Sequence, residues 1–175
     1  FFFRIGILAN NCGYFWSTDS EEKFNIISVS SIPAVGFRKG QIINLEQASN
    51  TIVQSIESAE RMAGFQINSA SICLSAPHIE SINSHGIVAI SNPNGEINQE
   101  DIERVIEAAK AISVSAGKEI IHIIPIKYTV DGQEGVIDPV GMNGVRLEVE
   151  AHIIIASTPS LKNIKKCLED VGIKI

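Results

Sequence analysis

The chain has 175 residues, of which 45% are hydrophobic and 19% charged, and its formal net charge is −6. This composition is typical of one large or two small globular domains and excludes an intrinsically disordered chain. No block of Lys or Arg offsets the acidic balance, so we expect no nucleic-acid partner. Cys12, Cys73 and Cys167 are widely spaced and odd in number. They argue against a disulfide framework and indicate a reducing, cytoplasmic compartment.

The first part of the chain predicts three strands. Phe1–Ala9 and Phe24–Ile32 are apolar or alternating runs, and Ala34–Ile43 is the predicted third strand. Between the first two lies the polar segment Asn10–Lys23, in which we expect at least one turn. The apolar opening is too short for a transmembrane helix and lacks the basic start of a signal peptide, so we expect no direct membrane anchor in this chain.

A helix is predicted to follow these strands. Asn44 has a side chain that caps free helix N–H groups, and Gln47 stands three residues later, as in a capping box. Gly64 suits the left-handed residue that ends a helix. Three strands followed by a helix are typical of an actin-type, ribonuclease-H-like half.

The pattern of predicted elements changes after this helix. Two strands, a helix and two long strands are predicted at Ile67–Ala76, Glu80–Ile90, Asn98–Ala116, Glu119–Val130 and Val145–Ser157. Along the last strand alternate residues are apolar and predict a half-buried strand: Val145, Leu147, Val149, Ala151, Ile153 and Ile155. This region predicts an α+β unit with its own small core.

Thr158-Pro159 then predicts a new helix start, with Pro at the first helical position. We assign this helix to the first unit. The predicted organisation is therefore an incomplete α/β domain, residues 1–65 and 158–175, interrupted by an α+β insert, residues 66–157. The chain begins with Phe and ends in the start of another strand, which we interpret as typical of a piece of a longer protein.

Five segments together carry a resemblance to a known family. They are GFRKGQIINLEQ from Gly36, AERMAG from Ala59, NSHG from Asn83, NQEDIERVIEAAKA from Asn98 and VDGQEGVIDPVGMNGVRLEVEAHIII from Val130. In wording and order they resemble the bacterial FtsA family of actin-like cell-division proteins, from about Asn25 to Ile175. The resemblance implies half of an actin-like fold interrupted by an insert of SHS2 type.

The resemblance also implies a function and partners. FtsA links the division ring to the cytoplasmic face of the cell membrane, and its insert contributes to self-association and recruits later division proteins. Its ring partner is the tubulin-like FtsZ, whose docking subdomain has no counterpart in this sequence. We therefore expect a non-enzymatic division scaffold, working at the inner face of the membrane as part of a longer relative.

Nucleotide binding is not expected, although the family binds ATP with Mg. An actin-like phosphate hairpin needs an acid, a glycine and a hydroxyl. The two possible registers place Gly6-Ile7-Leu8-Ala9 or Leu8-Ala9-Asn10-Asn11 there, and neither contains the set. We expect a plain turn and no cofactor.

Catalytic or metal chemistry is not indicated elsewhere. His78, His85, His122 and His152 are scattered without ligand spacing. The acids of the loop after Val130 are interleaved with Gly and Pro, which favours turn-forming Asp over a Ca²⁺ loop.

The remaining functional candidates are surfaces of the insert. Its helix has an acidic outer face that includes Asp101, and we select Glu100, Glu103, Arg104 and Glu107 as partner-binding residues. The insert is also expected to expose at least one strand edge, and unpaired edges invite pairing with another chain. The alternatives are a piece of a nucleotide-binding actin-like ATPase, or a truncated, degenerate product without activity.

Overall fold

A computed structural model describes residues 2–7, 11–18 and 24–174, with side chains from Ile27 onward. Its helices and strands follow one another as β1 Phe2–Ile7, β2 Asn11–Thr18, β3 Phe24–Ile32, β4 Phe37–Arg38, β5 Gln41–Ile42, α1 Leu45–Ala63, β6 Ala70–Leu74, β7 Glu80–Ala89, α2 Gln99–Lys110, β8 Lys118–Val130, β9 Gln133–Val136, β10 Arg146–Ser157 and α3 Thr158–Glu169.

The chain forms two compact units, residues 1–78 with 158–175 and residues 79–157. The expected start of the insert at residue 66 is therefore wrong. Strand β6 belongs to the first unit because it pairs in parallel with β1, where Phe3 lies opposite Ala70. Ile67 and Ala70 are also buried in the core of that unit. The switch between units thus comes after β6.

The sheet of the first unit has the strand order β3-β2-β1-β6. Strand β2 occupies much of the polar segment in which we expected at least one turn and predicted no strand. Its Tyr, Phe and Trp favour a strand despite the polar neighbours. The predicted third strand, Ala34–Ile43, is instead the short hairpin of β4 and β5, because Lys39 and Gly40 adopt positive φ angles of 50° and 73° and reverse the chain.

Helix α1 begins and ends as predicted. The Asn44 side chain accepts a hydrogen bond from the Gln47 N–H at 3.0 Å, and Gly64 ends the helix with φ 81°. Its apolar face forms the core of the first unit with α3, through buried residues that include Ala48, Ile52, Ile56, Ala59, Ile164, Cys167 and Leu168.

The second unit is an antiparallel sheet in the order β7-β10-β8-β9, with α2 packed on one face. Leu147, Val149, Ala151 and Ile153 are buried, as the alternation predicted. Val145 is 75% exposed, contrary to prediction, because it precedes β10 rather than forming part of it.

Helix α2 ends at Lys110, earlier than the predicted Ala116. Ile112, Val114 and the serines between and after them have poorer helix propensity than the residues before them, which explains the early end. None of the helices in residues 24–174 is long and apolar enough to cross a membrane.

Candidate interaction surface

The three selected glutamates lie on the solvent side of α2. Glu100, Glu103 and Glu107 are all exposed. The Glu107 carboxylate is 2.7 Å from the Lys110 ammonium group, which partly balances its charge. Exposed pairs of this kind contribute little to stability, so the acidic face remains available for contact with a partner.

Arg104 is held by its own unit. Its guanidinium donates to the Asp101 carboxylate at 2.9 Å and to the Ser91 hydroxyl. Its side chain is 40% exposed, so it offers part of its surface to a partner. The structure therefore places Arg104 beside the glutamates but gives it a structural role that sequence reasoning missed.

Asp101 does not belong to the outer face where we placed it. Its side chain is buried and accepts a hydrogen bond from the Asn98 N–H at 3.2 Å, while the Asn98 side chain accepts from the Asp101 N–H at 3.0 Å. This reciprocal capping box satisfies N–H groups at the start of α2. The position three residues after Asn98 was the signal that could have identified it.

The NSHG segment determines where α2 packs on the sheet. The Ser84 hydroxyl donates to the Ala109 carbonyl at 2.9 Å. Gly86 lies under the helix, where an added Cβ would be 2.1 Å from the Val105 carbonyl oxygen. The helix therefore approaches β7 at this point more closely than any residue with a side chain would permit.

The loop after Val130 is also structural. The Asp131 carboxylate accepts hydrogen bonds from the N–H groups of Val145 and Arg146, and Asp138 accepts from the Val140 N–H. These acids are turn-forming, as predicted. Burial raises the pKa of the Tyr128 hydroxyl above its usual value, and the negative charge of Asp138 raises that pKa further.

An open groove of about 530 Å³, lined by isoleucines and by two polar side chains, lies between α2 and β8. It is lined by Ile106, Lys110, Ile120, Ile121, His122 and Ile123. Helix α2 lies mainly over β7 and β10, so the side of the sheet near the start of β8 is only partly covered. Sequence reasoning missed this groove, because the isoleucines of β8 follow an apolar pattern that is typical of a fully buried strand.

The other face of this sheet carries polar side chains linked across strands. The His152 Nδ1 atom is 2.7 Å from the Asn83 Oδ1 atom, and the Lys127 ammonium group is 3.2 Å from the Glu150 carboxylate. In the part of the chain that the structure describes, no group of His, Cys, Asp and Glu side chains has the arrangement of a metal site. Of the positions tested for a phosphate hairpin, Leu8, Ala9 and Asn10 lie outside the described residues.

Comparison with known proteins now identifies the second unit. Residues 76–155 match the family model described as the SHS2 domain inserted in FTSA. The chain is 42% identical over 154 residues to cell division protein FtsA of Borreliella burgdorferi, which covers 88% of this chain and 37% of that protein. It is 37% identical over 156 residues to FtsA of Pseudomonas aeruginosa, covering 89% of the chain and 37% of the relative.

The chain is similar to FtsA over most of its own length. Its identity to FtsA of Escherichia coli strain K12 is 40% over 151 residues, which covers 86% of the chain and 36% of that relative. The chain thus spans little more than a third of the length of these curated relatives. The expected recognition of the family and of its SHS2 insert is confirmed.

A solved structure supports the fold. The chain resembles a protein of a PilM-PilN type IV pilus biogenesis complex with a TM-score of 0.57 and 14% sequence identity, over 97% of this chain and 44% of that chain. At this identity the likeness concerns the fold alone. With the SHS2 match, it confirms an actin-like half interrupted by an SHS2 insert.

Proposed function

We propose that this FtsA-type chain acts as part of a non-enzymatic cell-division scaffold, on the cytoplasmic side of the division site. Its relatives of 37 to 42% identity are named as cell-division proteins. The observation that supports a docking role is the acidic face of α2, where Glu100, Glu103 and Glu107 are exposed on a helix whose opposite side is fixed in the core.

The chemistry of this face favours a partner with a complementary basic surface. Charged groups at the rim of an interface contribute chiefly to the rate and specificity of association. Glu103 has no ion pair among the described residues, and Glu107 has only the exposed pair with Lys110. Replacing both glutamates should therefore change binding far more than folding.

The test is a double charge reversal, Glu103→Lys with Glu107→Lys. We expect the free energy of unfolding to change by less than about 1 kcal/mol, since each exposed position contributes within about 0.5 kcal/mol. In a two-hybrid assay of the chain against itself and against division proteins of the same cell, the variant should lose at least one interaction.

A matched control reverses two charges on α3, Lys162→Glu with Lys165→Glu, where both side chains are also exposed. This variant should retain every interaction of the parent chain. If the α2 variant keeps all of them as well, the acidic face is only a solvated helix surface and the docking proposal is wrong.

We further propose that the chain alone does not bind nucleotide. The support comes from the sequence, in which neither register of the phosphate hairpin contains the required acid, glycine and hydroxyl. Isothermal calorimetry should show no Mg-ATP binding tighter than about 100 µM, equivalent to about 5.5 kcal/mol. Tighter binding would favour the alternative of a nucleotide-binding actin-like ATPase piece.

A further inference from the structure

We infer that the outer edge of β7 pairs with the same edge of a second copy of this chain, antiparallel across a two-fold axis at His85. This inference deepens the self-association included in the proposed scaffold function, and it rests on that function. It is carried by the backbone of the SHS2 sheet rather than by the acidic face of α2.

The hydrogen-bond pattern shows which groups of β7 are free. The Asp131 N–H donates to the Arg146 carbonyl at 3.1 Å, so the backbone groups of Arg146 point toward β8. In an antiparallel sheet the direction alternates, and Leu147 therefore bonds its partner Val88 on β7. By the same alternation, the β7 residues whose backbone groups point away from β10 are Ser81, Asn83, His85, Ile87 and Ala89.

These outward-pointing residues are accessible. All of them are exposed, from Ser81 to Ala89. Within the described part of the chain, their N–H and carbonyl groups make no backbone hydrogen bond to a turn or loop, and β7 has no strand neighbour other than β10. The edge is thus a row of unpaired donors and acceptors, which is a template for another strand.

The opposite edge of the same sheet is protected. Strand β9 covers β8 only from Tyr128 to Val130. Over the rest of β8, Pro125 supplies no N–H, and the pairing with β10 is irregular at Glu150/Ala151 and Ile154/Ile155. Strand β7 contains no Pro, Lys or Arg, and its register with β10 is unbroken. The β8 edge is therefore poorly suited to pairing with another strand, whereas the β7 edge is free to do so.

A second copy suits this edge because the edge is almost without charge. Glu80 is the only acid of β7, and its carboxylate is 2.6 Å from the Lys118 ammonium group. Two such edges meet without like charges opposite each other, which would be destabilising. A charged extended peptide would find no complementary group along the strand.

Symmetry then selects the register. Only a two-fold axis at His85, the central residue of the outward-pointing set, places every residue of that set opposite a residue of the partner's set in a hydrogen-bonded pair. Ser81 then faces the partner's Ala89, and Asn83 faces the partner's Ile87. On the helix side, Ile82, which is 41% exposed, lies beside the partner's Val88 and loses exposed surface.

Helix α2 leaves room for this pairing. Ile106 faces the groove beside β8. Ala108 is two residues later and therefore lies about 200° around the helix, on the flank toward the β7 edge. Its side chain is small, and Arg104, one turn earlier on the same flank, is held to its own unit by Asp101 and Ser91.

The first test is cysteine crosslinking of the 175-residue chain, with Cys12, Cys73 and Cys167 replaced by Ala and folding checked by circular dichroism. In a hydrogen-bonded antiparallel pair the Cα atoms are about 5.5 Å apart, within the range of a disulfide. We expect His85→Cys to form a dimer at least about tenfold faster than the control His122→Cys on β8.

Register is tested with Ser81→Cys and Ala89→Cys. Each alone should give little dimer, whereas a mixture of the two should give a crosslinked heterodimer. Equal crosslinking of His85→Cys and His122→Cys would indicate random collision and would overturn the inference. Fast crosslinking of Ser81→Cys with itself would overturn the register.

The second test uses no cysteine. Sedimentation equilibrium from about 5 to about 500 µM should show dimer formation by the unmodified chain. Ile87→Pro removes an outward N–H and should weaken dimerisation at least about tenfold, whereas Ile87→Ala should retain it. A chain that stays monomeric throughout, without specific crosslinking, refutes β7 pairing. The α2 charge reversal tests the scaffold function separately, because its residues lie outside this edge.

Discussion

Gly86 gives the sharpest prediction about the SHS2 unit. A Cβ added there would lie 2.1 Å from the Val105 carbonyl oxygen, 2.7 Å from the Ala109 amide nitrogen and 3.1 Å from the Ala109 Cβ. Normal contact between such atoms is about 3.5 Å, so Gly86→Ala requires α2 to move away from β7 by roughly 1 Å. Val105 and Ala109 are fully buried, and this movement separates both from the sheet.

The expected cost is about 1 to 3 kcal/mol of unfolding free energy, the usual range for overpacking a core. We expect the upper half of that range because the two nearest atoms belong to a helix backbone, which yields less readily than a flexible side chain. Adding Ala109→Gly should not rescue the variant, since it removes only the most distant of the three contacts.

The assay must resolve the two units, because a chain with two compact units need not unfold in one step. Hydrogen exchange followed by mass spectrometry should show faster exchange in the α2 peptides and unchanged exchange in those of α1. The control is Ser81→Ala, an exposed position on the same strand. Unchanged α2 exchange in Gly86→Ala, with stability within about 0.5 kcal/mol of the parent, would refute the close approach.

Two further predictions concern the loop after Val130. Because burial raises the pKa of Tyr128, its contribution to stability is intact below the unfolded-state pKa of about 10 and is lost as pH rises above it. Urea unfolding should therefore lose stability between about pH 9 and about pH 11 more steeply in the parent than in Tyr128→Phe; equal slopes would contradict this. Asp131→Ala should cost about 0.5 to 1.5 kcal/mol, because the exposed N–H groups of Val145 and Arg146 lose their acceptor. Asp131→Asn should cost less, because it keeps an oxygen acceptor and tolerates φ 47° as Asp does; an equal cost for the two variants would assign the loss to the carboxylate charge.

Local signals in the sequence predicted the helices and the central strand well. Asn44, Gly64 and Asn98 mark helix ends because capping depends on neighbouring residues alone. The alternation of β10 predicted its buried face because the strand is covered by α2 on one side only. These features need no knowledge of distant contacts.

The predictions failed where contacts between residues far apart in the sequence determine the structure. Strand β6 has the same apolar character as the strands of the insert, and only its pairing with β1 assigns it to the first unit. The residues Tyr14, Phe15 and Trp16 favoured a strand, but polar neighbours concealed the signal. Asp101 looked like one more acid on a solvated face until its reciprocal bonds with Asn98 placed it in the core.

The segments that identify the family explain the fold more than the function. In NSHG, Ser84 bonds the end of α2, Gly86 admits the helix and Asn83 contacts His152. Among the contacts of the described residues, His85 alone of this segment has an exposed side chain with no such bond, and it stands at the centre of the open edge of β7. A partner that pairs with a strand binds its backbone N–H and carbonyl groups, which every sequence possesses. Binding of this kind therefore places few requirements on the identity of the residues. The candidate function of the unit therefore depends on what its edge lacks, namely proline, lysine and irregular pairing, and these are features that a motif does not record.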